Sequence, residues 1–156
     1  MKKLTKQLHQ LESYLPFYST VNPAVSSASV GWHIEHSLLV IKQITATVAQ
    51  SDPALFERKF NFTRSWVFLL NYFPRGKANA PNTVLPGAAL DLNKLEESIA
   101  QTYHAINYLK DCQPNQYFMH PFFGALNQEQ TIRFLGIHTK HHLKIIQDIL
   151  LKNSTF

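Results

Sequence analysis

Residues 131–149 read Thr131-Ile132-Arg133-Phe134-Leu135-Gly136-Ile137-His138-Thr139-Lys140-His141-His142-Leu143-Lys144-Ile145-Ile146-Gln147-Asp148-Ile149. Within this stretch Thr131, Leu135, His138, His142, Ile145 and Ile149 recur at spacings of four, three, four, three and four, the inward stripe of a helix packed in a bundle. Phe134 and Ile146 flank the stripe, while Arg133, Lys140, Lys144 and Gln147 lie opposite. Histidines therefore hold two successive positions where leucines are expected. A buried imidazole without a partner is costly, so two in succession need a reason. One turn apart, they can each aim a ring nitrogen at a single divalent cation. Carboxylates, hydroxyls or water can satisfy such a pair as well.

Working outward, this fifth helix is expected over about Gln128–Lys152, with Asn127 as cap and Gln130 completing a capping box. The second helix, about Val30–Gln50, places Val30, Ile34, Leu38, Ile41, Ile44 and Val48 on one broad face, and belongs inside a bundle. Any of Ser26, Ser27 and Ser29 can cap it. The first helix, about Lys3–Leu15, ends at Pro16. A third helical stretch starts at Asp52-Pro53 and runs to about Tyr72, with a break expected near Asn61 or Thr63. The fourth, about Lys94–Lys110, carries a capping-box pattern at Asn93 and Glu96. Two medium loops, 73–89 and 111–126, complete the chain. No stretch sustains period-two alternation, so no sheet is expected. The reading is an all-α four-helix bundle with an extra short or broken helix, forming one domain over 1–156.

A third ligand must come from another helix. His36 lies one turn after Trp32 on the second helix, and His33 is its neighbour and substitute. His104 falls on the polar side of the fourth helix, and His9 sits among polar residues near the N-terminus. Three in-line donors on one helix cannot all reach one ion, which makes His141 a pocket residue beside the ligands.

Composition narrows the function classes. The single cysteine, Cys112, excludes a disulfide framework within the chain and argues against a thiolate cluster. No apolar run follows the lysines at 2, 3 and 6, so a secretory signal is not expected; the longest such run, Trp66–Leu70, is too short for a bilayer. The cytoplasm is the expected compartment. The net charge of +5 raises a nucleic-acid partner, but the later basic residues are scattered in ones and twos, which argues against it.

Trp32-His33-Ile34-Glu35-His36 resembles the Trp-x-x-x-His signature of the DinB/YfiT-like superfamily, and His138-Thr139-Lys140-His141-His142 resembles its His-x-x-His-His signature. Phe73-Pro74-Arg75-Gly76-Lys77, Ala80-Pro81 and His120-Pro121-Phe122-Phe123-Gly124 resemble an uncharacterised branch of it. The resemblance implies a bundle with a metal pocket at one end, His36, His138 and His142 as ligands, and a homodimer. It further implies metal-dependent chemistry on small molecules, of the thiol S-transferase or hydrolase type, with a low-molecular-weight thiol as cosubstrate. Zinc or nickel suits three imidazoles best, with iron or manganese as further candidates. Trp32, His33, His141 and Arg75 are expected around the pocket, Arg75 as a carboxylate clamp if its loop folds over the site. No acid or base stands out beyond the ligands; Glu35 and His141 are the nearest candidates. The alternative is a metal-binding or sensor protein without turnover.

Overall fold

The computed structural model describes residues 1–74, 84–87 and 91–153. Four long helices build the bundle: α1 (Lys2–Ser13), α2 (Val30–Gln50), α4 (Leu92–Asp111) and α5 (Gln128–Asn153). A short helix, α3 (Phe62–Leu70), packs outside it. α2 lies against both α4 and α5, and α1 closes the opposite side against the same two helices. The apolar stripes read from the sequence point inward. Leu4, Leu8 and Leu11 of α1, all six stripe residues of α2, and Leu95, Ile99, Ile106 and Leu109 of α4 are buried. α5 contributes Leu135, Ile145, Ile146 and Ile149 to the same core. α1 approaches α5 at Gly136, whose carbonyl accepts from Gln7 Nε2 at 2.9 Å.

The helix ends show how the sequence sets the boundaries. Ser29 Oγ accepts the Trp32 amide at 3.1 Å and starts α2. Asn127 and Gln130 form the expected reciprocal box at the start of α5: Asn127 Oδ1 accepts from the Gln130 amide at 3.0 Å, and Gln130 Oε1 from the Asn127 amide at 3.2 Å. α4 departs from expectation. It begins earlier, and Asp91, not Asn93, caps it by accepting the Asn93 amide at 3.1 Å. A carboxylate suits the positive end of the helix dipole.

The stretch expected as one helix from Pro53 is two pieces. Asp52 caps a 3-10 turn at Pro53–Leu55. α3 then begins afresh where Asn61 Oδ1 accepts the Arg64 amide at 2.8 Å, and stops where Asn71 turns left-handed at φ 51°.

The expectation of no sheet is corrected by a two-stranded antiparallel hairpin, β1 (Tyr117–His120) and β2 (Gly124–Asn127). Four residues per strand are too few for alternation to register. Its turn is held by the His120 ring, whose Nδ1 accepts the amides of Phe122 at 3.1 Å and Phe123 at 3.2 Å. Gly124 takes a positive φ of 69° to close it. Among the described residues, no helix is long and apolar enough to cross a membrane.

Two arginines tie α3 to the rest. Buried Arg64 donates to the carbonyls of Lys59 at 2.6 Å and of Phe123 and Ala125 at 3.2 Å each. Arg133 of α5 donates to the Phe68 carbonyl at 2.6 Å and lies over the Phe68 ring. Replacing Arg64 by Met leaves three carbonyls without their donor. The expected loss is about 2–4 kcal/mol of stability, read as a lower urea midpoint at unchanged slope. A loss below about 0.5 kcal/mol would show that the guanidinium does not hold α3 in place.

Candidate metal centre

The i,i+4 pair of α5 meets α2 where both helices turn their inward faces to each other. One ligand atom each from His36, His138 and His142 lies within 4.8 Å of the others. The ring centroids are 4.6 Å apart for His138 and His142, 4.7 Å for His36 and His142, and 5.1 Å for His36 and His138. Among the described residues this is the one group of three or more histidine, cysteine or acidic side chains arranged to hold an ion.

Burial fixes the protonation state. Desolvation, reinforced by the neighbouring rings, pushes the pKa values of His138 and His142 well below the ordinary 6.5. His36 is lowered as well, chiefly by desolvation and against a hydrogen bond that works the other way. All three rings are therefore neutral at neutral pH, the form in which imidazole ligates a metal.

A hydrogen bond then selects the tautomer of His36. The Val84 carbonyl lies 2.7 Å from His36 Nδ1 and can only accept. His36 therefore carries its proton on Nδ1, which leaves the Nε2 lone pair available. His142 Nδ1 lies 3.0 Å from His33 Nδ1, and His33 Nε2 lies 3.0 Å from Ser26 Oγ. When His142 donates from Nδ1, its Nε2 is free to ligate and His33 passes its own Nε2–H to Ser26. The reverse order protonates His142 Nε2 and blocks ligation there. The arrangement is that of a metal-ligating histidine oriented by a polar group behind it. His138 Nδ1 is buried without a hydrogen-bond partner. A cation taken up at that nitrogen would satisfy it, and the all-neutral donor set fits a divalent transition metal.

The other residues singled out from the sequence fall as follows. Trp32 stacks on His36, with centroids 4.9 Å apart and planes at 13°, and meets His33 edge-on. It clamps the ligand-bearing rings. His141 packs edge-on to His142 at 5.1 Å and to Phe73 at 6.3 Å, and lines a cavity of about 430 Å³ with Phe73, Ile137, Lys140 and Lys144. Glu35 points elsewhere: its Oε1 accepts from Ser98 Oγ of α4 at 3.3 Å. His104 and His9 lie outside the cluster, the latter bonded to the Tyr103 hydroxyl at 2.6 Å. Arg75 and Lys77 lie outside the described residues.

Sequence reading gave no role to His120. Its ring stacks on Phe123 at 4.2 Å and meets Phe134, which in turn stacks on His138. Burial lowers its pKa to about 4. The signal was its place in the His120–Gly124 motif, read only as a resemblance. Val84 gave no signal, because a backbone carbonyl leaves no mark in a side-chain pattern.

A helical bundle closing on three neutral imidazoles defines a class of protein able to hold a metal ion in its core. The profile of the DinB superfamily matches residues 20–146, and the chain belongs to that superfamily. No curated protein and no solved structure matches the chain.

Two outcomes are expected. His33→Phe should weaken metal binding about 10–100-fold by leaving His142 Nδ1 without its acceptor, measured by competition with a chromophoric chelator; unchanged affinity would remove His33 from the site. The second concerns pH. The folded chain keeps His120 neutral down to about pH 4, whereas an unfolded chain takes up that proton near 6.5. The unfolded state therefore binds more protons between these values. Stability is full above about pH 6.5 and falls as the pH drops towards 4, by about 2–3 kcal/mol for this ring. Urea midpoints in chelator should show the decline, shallower in His120→Gln; equal slopes would contradict it.

Proposed function

We propose that this DinB-superfamily chain is a metal-dependent enzyme that joins a small nucleophile, a low-molecular-weight thiol or water, to an electrophilic small molecule. The reading is carried by the donor set: three imidazoles converge, and no carboxylate or thiolate joins them among the described residues. Three protein ligands leave coordination positions open, the mark of a reactive rather than a purely structural site. A divalent ion, zinc or nickel in the first place, lowers the pKa of a thiol or water when bound there and so supplies a nucleophile at neutral pH.

The chain's own residues prepare that chemistry. Val84 holds His36 in the tautomer that presents Nε2, and His33 does the same for His142 when it accepts from His142 Nδ1. Phe73 and Phe134 border His138 with apolar rings; excluding water there strengthens every charge interaction at the site.

The test is elemental analysis of untagged protein, paired with the His36→Ala/His138→Ala/His142→Ala variant. Close to one ion per wild-type chain and none in the variant is expected. Adding a thiol should shift the visible absorption of the cobalt-substituted protein. A metal-free wild type would overturn the reading. A cobalt spectrum unmoved by thiols and anions alike would leave a closed site, and with it the sensor role without turnover.

A further inference from the structure

Residues 18–29 lead into α2 without a helix or strand of their own, yet hydrogen bonds tie them down. The Thr20 carbonyl accepts the Val30 amide at 2.9 Å, and the Tyr18 carbonyl accepts the Gly31 amide at 2.7 Å. Between them, the Asn22 carbonyl accepts the amides of Val25 and Ser26 at 2.9 Å each, and Asn22 Oδ1 accepts the Ala24 amide at 3.1 Å. Helix capping does not account for Ser26, because Ser29 caps α2. Ser26 Oγ instead accepts the Ala28 amide at 3.1 Å and lies 3.0 Å from His33 Nε2. His33 is buried, 4 % exposed, and its Nδ1 faces His142 Nδ1 at 3.0 Å. A fixed loop thus sets a hydroxyl at the outer end of a chain that begins at His142.

With both rings neutral, two proton orders fill this chain, and each ring carries one N–H in either. In the first, His142 Nδ1 donates to His33 Nδ1, and His33 Nε2 donates to Ser26 Oγ. In the second, the Ser26 hydroxyl donates to His33 Nε2, and His33 Nδ1 donates to His142 Nδ1. The second order puts the His142 proton on Nε2. A hydroxyl oxygen has two lone pairs, and the Ala28 amide occupies one. The other lone pair serves the first order, and the O–H serves the second.

We propose that Ser26 is a positioning residue of the metal centre, acting through His33 as the terminal acceptor of the order in which His142 presents Nε2. The proposal rests on the reading of His142 as a ligand and extends that site to a loop outside the bundle. A cation at His142 Nε2 admits the first order only, so the bound state needs an acceptor at position 26. Without the hydroxyl, the first order leaves the buried His33 Nε2–H unpaired, whereas the second leaves only a lone pair unmet. Buried N–H donors go unpaired more rarely than buried acceptors. Loss of the hydroxyl therefore moves the empty site towards the order that blocks His142.

The test measures zinc affinity of the full chain by chelator competition in wild type, Ser26→Ala, Ser26→Thr, His33→Phe and His33→Phe/Ser26→Ala. Ser26→Ala should weaken zinc about ten-fold, the low end for a group behind a ligand, while Ser26→Thr keeps the hydroxyl and should stay within about three-fold of wild type. With His33 replaced, removing the hydroxyl should cost less than about two-fold, since its route to His142 is gone. Long-range proton–nitrogen NMR spectra of the imidazoles read the order itself. Zinc-loaded wild type should carry the His33 proton on Nε2, and metal-free Ser26→Ala should hold more His142 protonated at Nε2 than metal-free wild type. Unchanged affinity in Ser26→Ala, beside a wild type that binds zinc, would overturn this proposal alone. An equal loss with and without His33 would assign the effect to the loop and overturn it too, as would zinc-loaded wild type with the His33 proton on Nδ1. A wild type that takes up no zinc would overturn the ligand reading, and this proposal with it.

Discussion

Desolvation of His138 and His142 is the constraint on which the site depends. Both rings stand on the inward stripe of α5, and burial together with the nearby imidazoles makes the protonated form expensive. A charged imidazole there would need a counter-ion, and no acidic side chain joins the cluster among the described residues. The structure answers with neutral partners. A carbonyl takes the His36 proton and a second imidazole faces His142. Neutral rings accept a cation without a net loss of protons, provided each turns a bare nitrogen to it, as the Val84 carbonyl ensures for His36.

The rings around the cluster serve the same end. Phe73 and Phe134 meet His138, Phe134 also meets His120, and His120 stacks on Phe123. This wall comes from three different parts of the chain, and the β1–β2 hairpin exists to bring one of them in. The hairpin turn in turn depends on His120 staying unprotonated at Nδ1, since that atom accepts two amides. Burial of His120 and closure of the turn are one arrangement seen from two sides.

What the sequence made legible followed from periodicity. The heptad-like stripe of α5, the six buried positions of α2 and the reciprocal cap of Asn127 and Gln130 all depend on regular spacing, which a single sequence displays in full. The pairing of His138 with His142 was within reach because helical geometry fixes where i and i+4 side chains point; pattern left His36 and His33 as alternatives for the third ring, and the resemblance to the DinB signatures pointed to His36. Other features rest on contacts between distant segments. His33 and His142 are 109 residues apart, and Val84 acts through its backbone. Asp91 prevailed over Asn93 as the cap of α4, a choice between two good caps that local pattern leaves open. The hairpin strands are shorter than the window in which alternation is detectable.

α3 shows how an inverted helix connects the outside of the molecule to the site. Its arginine is satisfied only because the Phe123 and Ala125 carbonyls approach it, and these flank the glycine that closes the hairpin. Its C-terminal end leads through Asn71 and Tyr72 to Phe73, whose ring reaches His138 and His141. Arg133 fastens the same helix to α5 a short distance from the histidines. α3 therefore touches both the hairpin and, through the residues that follow it, the Phe73 wall. Arg64 thus ties α3 to the hairpin through backbone carbonyls, and the segment leaving α3 brings the Phe73 ring against the ligand ring of His138.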